Sequence, residues 1–278
     1  MRFTKISLLI AAIMIVFGLM LTAAALAATG GLPTPSPEVT THTITDDFHS
    51  IAIDLDTTDV TFYPSQDHTC RIIFEEKDNL RHSTAVRNGT LLIGYDDGRQ
   101  WYDFITLFGS GDIKAEIYLP EGQYESLMLE IDTGHVHMPG DFTFDTVEIE
   151  TDTGDIHWQA HVSGRLSVST DMGDVYLSDC HGAVLDLDTD TGDVYLSGAV
   201  FQKELAIETG TGDVIFDRAD SEAIFVQTDT GDVSGTVLTD KVFHAFSDTG
   251  SIQVPWDTIG GSCKIITDTG DIHLTVAE

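Results

Sequence analysis

Thr189-Asp190-Thr191-Gly192-Asp193-Val194 is one copy of a phrase that fills the second half of this chain. Thr151-Asp152-Thr153-Gly154-Asp155-Ile156, Thr228-Asp229-Thr230-Gly231-Asp232-Val233 and Thr267-Asp268-Thr269-Gly270-Asp271-Ile272 repeat it almost letter for letter. With the looser versions included, the copies centre on Gly134, Gly154, Gly173, Gly192, Gly212, Gly231, Gly250 and Gly270. Their spacings are 20, 19, 19, 20, 19, 19 and 20 residues. A fixed period of about 20 residues is the mark of stacked supersecondary units.

On both sides of each glycine the apolar residues alternate. Val147 and Ile149, Leu166 and Val168, Leu185 and Leu187, Leu205 and Ile207, and Ile224 and Val226 stand seven and five residues before it. Ile156 and Trp158, Val175 and Leu177, Val194 and Leu196, and Val214 and Phe216 stand two and four residues after it. A period of two with β-branched residues reads as a strand with one buried face. The inward positions are odd before the glycine and even after it, so the phase slips by one residue at a tight corner that suits glycine. Each repeat is therefore strand, corner, strand and return turn.

One such unit cannot cover its own apolar face, so neighbours must stack, with rungs ~4.8 Å apart. The expected fold is all-β: a β-solenoid of stacked 19–20-residue repeats behind an N-terminal transmembrane or signal segment. Residues 121–278 form its regular part. Residues 44–120 read as a degenerate capping region, where Asp56-Thr57-Thr58-Asp59-Val60 copies the phrase with Thr58 in place of glycine. Cys70, Ile72 and Phe74 alternate there, as do Ile113, Ala115, Ile117 and Leu119.

Arg2 and Lys5 precede an apolar run from Ile6 to Ala28, long enough to span a bilayer. Ala25-Leu26-Ala27 also offers a small-x-small cleavage site, so residues 1–28 are an anchor or a signal peptide. Both readings export the rest, with the N-terminus on the cytoplasmic side. The expected location is the cell membrane with an extracytoplasmic domain, or secretion after cleavage. Residues 29–43, with Pro33, Pro35 and Pro37, read as a semi-rigid linker.

The chain carries 46 Asp and Glu against 13 Lys and Arg, a net charge of -33. Beyond residue 120 the cations are Arg165, Lys203, Arg218, Lys241 and Lys264. So few cannot neutralise a phosphate backbone, and nucleic acid is excluded as a partner class. Cys70 and Cys263 sit at inward positions and read as buried thiols, whereas Cys180, in a return turn, reads as the exposed one. No Cys-x-x-Cys spacing points to zinc or to redox chemistry.

The chemical signals all ride on the repeat. Asp-Thr-Gly is the active-site tripeptide of aspartic proteases, which bring two such aspartates into one cleft. Here Asp132, Asp152, Asp190, Asp229, Asp248 and Asp268 recur on successive rungs, where corner chemistry accounts for them. The position after the glycine gives an outward column of Asp155, Asp174, Asp193, Asp213, Asp232 and Asp271, a weak Ca2+ candidate. Glu148, Glu150, Asp186, Asp188 and Glu208 add outward carboxylates on the preceding strand. His137, His157 and His273 line a further column with Tyr176 and Tyr195, readable as metal ligands, as a strip for sugar rings, or as an ordinary cross-strand ladder.

The N-terminal membrane segment, the leader Ile51-Ala52-Ile53-Asp54-Leu55-Asp56-Thr57-Thr58-Asp59-Val60-Thr61-Phe62-Tyr63, Tyr118-Leu119-Pro120 and the serial Gly-Asp-Val/Ile strands together resemble a known group. It is the bacterial putative-adhesin β-strand repeat family, also called toastrack domains. The resemblance runs from about Ile44 to the end. It implies a surface-exposed β-repeat domain, often membrane-anchored and tied to envelope stress, with no catalytic residues to carry over. The Thr-Gly-Asp corner, where Ser-Gly-Asp is commoner, and the acidity depart from the family pattern.

The expected function is noncatalytic, without a cofactor: recognition of an envelope protein or cell-wall component, with residues 6–28 engaging the membrane. Two alternatives stand beside it. One is a polysaccharide-active enzyme on a β-helix, which would need two carboxylates in a cleft. The other is a calcium-stabilised structural module.

Overall fold

The computed structural model describes residues 38–76, 81–95, 113–256 and 259–277, and the segments read as anchor (1–28) and as the start of the linker lie outside them. Among the described residues no helix is long and apolar enough to cross a membrane.

The chain opens with seven strands: β1 (Glu38–Ile44), β2 (Ser50–Thr57), β3 (Asp59–Pro64), β4 (Cys70–Glu76), β5 (His82–Arg87), β6 (Thr90–Tyr95) and β7 (Lys114–Leu119). β1 lies partly inside the stretch read as linker, because Val39 to Ile44 alternate and pair with β4. The repeats then follow as long strands alternating with short ones. These are β8 (Gly122–Thr133), β9 (Val136–Met138), β10 (Phe142–Thr153), β11 (Ile156–Trp158), β12 (His161–Met172), β13 (Val175–Ser178), β14 (His181–Thr191) and β15 (Val194–Ser197). After β16 (Val200–Thr211), β17 (Val214–Thr230) serves as the short strand of one coil and the long strand of the next. The last strands are β18 (Val233–Val237), β19 (Lys241–Thr249), β20 (Ile252–Gln253), β21 (Gly261–Thr269) and β22 (Ile272–Val276).

Long strands stack on long strands in parallel and short on short, with repeat positions in register: Leu166 pairs with Leu185, and Leu185 with Leu205. The difference between 19- and 20-residue coils is absorbed by register shifts early in the long strands, as between Val162 and Arg165 or Phe201 and Glu204. Placing the irregularity there keeps every corner aligned. The apolar sides face each other and bury Phe142, Phe144, Trp158, Phe201 and Phe216. Trp158 donates its indole N–H to the Ala160 carbonyl at 2.7 Å, so its polar atom is satisfied inside the core.

At the N-terminal end the parallel stacking stops. β4 runs antiparallel to both β1 and β7, and β5 antiparallel to β6. Reversed strands cannot propagate the coil, which suits an end cap.

The C-terminal end departs from simple serial stacking. β21 pairs with β17 on one side and β19 on the other, and β22 lies between β18 and β20. The last coil in sequence is thus the penultimate coil in space, and the coil of Gly250 forms the end. In space the corners run Gly134, Gly154, Gly173, Gly192, Gly212, Gly231, Gly270, Gly250.

The cysteines correct one reading. Cys180 is 1% exposed, as sheltered as Cys70 and Cys263, because its return turn is tucked under the next coil, where Val200 N–H bonds its carbonyl at 3.0 Å. Burial pushes all three thiols up to about 12. A thiol reagent at pH 8 is therefore expected to label none of them in the folded protein and all three in denaturant. Stoichiometric native labelling would contradict the burial.

Candidate functional site

Three surfaces run the length of the solenoid, and each arises because parallel register turns a repeat position into a column. The first is the corner. Its glycines hold φ between 147° and 159° at Gly134, Gly154, Gly173, Gly192, Gly212 and Gly270. The inward threonines just before them, Thr151, Thr170, Thr189, Thr209, Thr228 and Thr267, are all buried.

Next to the corner stands the carboxylate column read from sequence as a Ca2+ candidate. Each carboxylate there has a structural task. The Oδ1 of Asp155, Asp174, Asp193, Asp213 and Asp232 accepts the backbone N–H of the equivalent residue on the next coil, at 2.7–3.0 Å. Asp271 does the same for Ser251. His135 occupies one rung, taking its N–H bond to Asp59 and accepting the Asp155 N–H on Nδ1 at 3.0 Å. Tyr176 and Tyr195 donate their hydroxyls to Oδ2 of Asp174 and Asp193. The ladder satisfies backbone donors that the corner would otherwise leave bare. Among the described residues no group of three or more His, Cys, Asp or Glu is arranged to hold a metal ion.

Asp193→Ala is expected to cost about 1 kcal/mol by leaving the Asp213 N–H unpaired. Asp171→Ala, at an exposed position outside the ladder, should cost almost nothing. Urea titration of both variants distinguishes the ladder from a merely solvated face.

Outside the ladder run the rings. His137, His157, Tyr176 and Tyr195 are successive rungs of one register column, which continues through Ile215 and Ser234 to His273, so His273 shares the column but stands three rungs beyond Tyr195. His157 stacks on Tyr176 at 4.5 Å and Tyr176 on Tyr195 at 4.7 Å, each pair within 3° of parallel. The ring faces are turned to one another along the solenoid axis, so the strip offers solvent mainly ring edges and is a poor platform for a sugar ring. Desolvation raises the Tyr176 phenol to about 12, aided by its bond to Asp174. Desolvation also holds His157 below its usual value, against the pull of Asp155, with His137 and His135 adding to the depression. A depressed histidine binds protons better when unfolded, so His157 removes stability as pH falls below about 6.5. His157→Tyr, which extends the tyrosine stack, should therefore reduce the loss of Tm between pH 7.5 and pH 5.

The third surface is the outer face of the long-strand stack. One column reads Glu130, Glu150, Ser169, Asp188, Glu208, Gln227, Ile266, Phe246, and its neighbour Met128, Glu148, Ser167, Asp186, Ala206, Phe225, Lys264, His244. The face is acidic as far as Glu208 and then changes character. Over the last three coils it carries Phe225 under the Lys264 ammonium at 5.2 Å, half-buried Ile266 and Phe246 at 56% exposure. The repeat spacing already puts Phe225, His244 and Lys264 in one column, and the exchanged last coils set Lys264, not His244, beside Phe225. At the same end Ile252, Trp256 and Ile259 are exposed, Trp256 completely.

A shallow hollow of about 210 Å³ opens beside the first corner, lined by residues that include Thr58, Asp59, Ile113 and His135. It contains no pair of carboxylates. Asp67, Asp145 and Asp271 are held below the usual carboxylate range by hydrogen bonds, Asp67 at about 2, the direction opposite to that of a general acid.

Against this geometry, a family model described as Toastrack DUF4097 matches residues 48–278. The chain belongs to the toastrack family. Two solved structures share this fold. A "putative adhesin" from Bacteroides fragilis is 16% identical, with a TM-score of 0.52, covering 87% of this chain and 99% of that one. A "putative adhesin" from Parabacteroides distasonis is 13% identical, with a TM-score of 0.52, covering 86% and 98%. At such identities the likeness is one of fold. No curated protein matches the chain.

Proposed function

We propose that this toastrack domain is a recognition module of the bacterial envelope, displayed outside the cytoplasmic membrane from the apolar segment 6–28, and that it binds a protein or cell-wall component without changing it chemically. The observation that carries this reading is the long-strand face, a rigid surface that is acidic along most of its length and apolar at one end. Like charges on neighbouring rungs, such as Asp188 beside Glu208, repel by roughly 0.8 kcal/mol at ~5 Å in water. Such a field steers a cationic partner, while the apolar end supplies area to bury. The flat geometry supports binding over hydrolysis, which needs paired carboxylates in a cleft. The acidity again argues against nucleic acid. The ladder's own bonding leaves calcium no evident task.

The test is photo-crosslinking in living cells from Asp188, Glu208 and Phe246, with Asp217, exposed on the short-strand stack, as an off-face control. Reproducible capture of one envelope protein or wall fragment from the face, and not from the control, is expected. Equal capture from all four positions, or turnover of a wall glycan by the purified domain, would overturn the reading.

A further inference from the structure

The exchanged end coil is fastened by two ionisable groups that the recognition face does not use. Lys241 opens β19, and Asp220 lies in β17, yet β21 runs between these strands. The register partner of Lys241 on β21 is Gly261, which has no side chain in the way. The lysine thus reaches across the inserted coil into the interior, and Lys241 is 1% and Asp220 5% exposed. Its Nζ stands 2.5 Å from Asp220 Oδ1 and 2.5 Å from Thr239 Oγ1. Asp220 Oδ1 also accepts the Ser221 N–H at 2.7 Å. Asp220 Oδ2, equally buried, has no hydrogen-bond partner.

For an ion pair this is poor bookkeeping. An ammonium has three protons to place, and a carboxylate has two oxygens to satisfy. Buried charges are tolerated when those bonds are complete, and here one buried oxygen stands bare. An amide between the two side chains would have no such deficit. Its carbonyl would be Oδ1, already held by Ser221 N–H, and its N–H would point to Thr239 Oγ1. The atom to be expelled would be Oδ2, the one without a partner.

We propose that Lys241 and Asp220 condense spontaneously to an intramolecular amide that staples the end coil of the solenoid to β17 across the inserted coil. In the reaction one ammonium proton passes to Oδ2, giving a neutral amine and a carboxylic acid. The Nζ lone pair attacks Cγ while Ser221 N–H holds the charge that develops on Oδ1. A second Nζ proton passes to the departing Oδ2 hydroxyl. The Cγ–Oδ2 bond breaks and water leaves. One C–N bond replaces one C–O bond, nothing is oxidised, and no co-reactant is needed. Holding amine and carboxyl in contact supplies the effective concentration that the uncatalysed reaction lacks. The staple would secure the open end of a chain whose described cysteines are all free.

The experiment is peptide mass spectrometry on the purified full chain after denaturation and trypsin. With the amide present, trypsin cannot cut after Lys241. The product then spans residues 219–264 and is lighter than its sequence by one water, about 18 Da. Asp220→Asn should give a product of the same mass, since loss of ammonia from asparagine yields the same amide. Asp220→Ala and Lys241→Met should show no mass deficit. Ordinary cleavage after Lys241 with an unmodified 219–241 peptide in the natural chain would overturn the proposal and leave a salt bridge in its place.

Discussion

Gly192→Ala is expected to remove at least about 4 kcal/mol of stability, enough to unfold the domain or leave it marginal at 37 °C. A Cβ built on Gly192 falls 1.9 Å from the Gly173 carbonyl oxygen and 2.6 Å from its carbon, both backbone atoms. The φ of 155° adds strain of its own. Relief would need the rungs to part, but two parallel strand ladders pin their spacing near ~4.8 Å. The same close approach recurs up the column, from Gly154 over the Gly134 oxygen to Gly250 over the Gly270 oxygen. Thr58 marks where the rule lapses. It opens the column, and among the described residues no earlier corner glycine lies beneath it, so its side chain is accommodated and buried. Gly122→Ala, where nothing lies within 4 Å, is the control and should shift Tm little. Equal thermal unfolding of the two variants would show that the corner spacing can give.

Asp220→Ala is expected to cost about 3–5 kcal/mol, because it leaves the Lys241 ammonium buried without its partner. The paired replacement Asp220→Leu with Lys241→Met should recover much of this loss, since no charge is then stranded. Urea denaturation of the single and double variants measures the difference. If the double variant is as unstable as the single, the loss is that of the amide staple and its packing, not of a stranded charge. The loss should also be local: hydrogen exchange should rise first in β19 and β20, which form the open end, before it rises in the central coils.

The repeat made most of the fold legible. Leu166, Leu185 and Leu205 were readable as core because an alternating pattern repeated at constant spacing can be buried in only one way. The corner glycines were readable because the phase of the alternation slips there. Cys180 was misread because return turns usually face solvent, and only the stacking of one turn on the next covers it. The aspartate column was read correctly as a column and left without its task. The acceptors that explain it point along the solenoid axis to the next coil, and sequence spacing shows parity, not that direction.

Sequence alone therefore determined the rung: its length, its buried face, its corner and the acidity of its flanks. These depend on contacts between residues at equal positions in neighbouring repeats, and a repeat displays those contacts in one dimension. Tertiary structure decided the order of the last rungs, the pairing of Lys241 with Asp220 across an inserted coil, and the placing of Lys264 beside Phe225 with Phe246 on the end coil. The coils of Gly231, Gly250 and Gly270 present nearly the same register to a neighbour, so either order satisfies the local pattern. A single long-range contact between Lys241 and Asp220, with glycine at Gly261 to let it pass, distinguishes the order that is adopted.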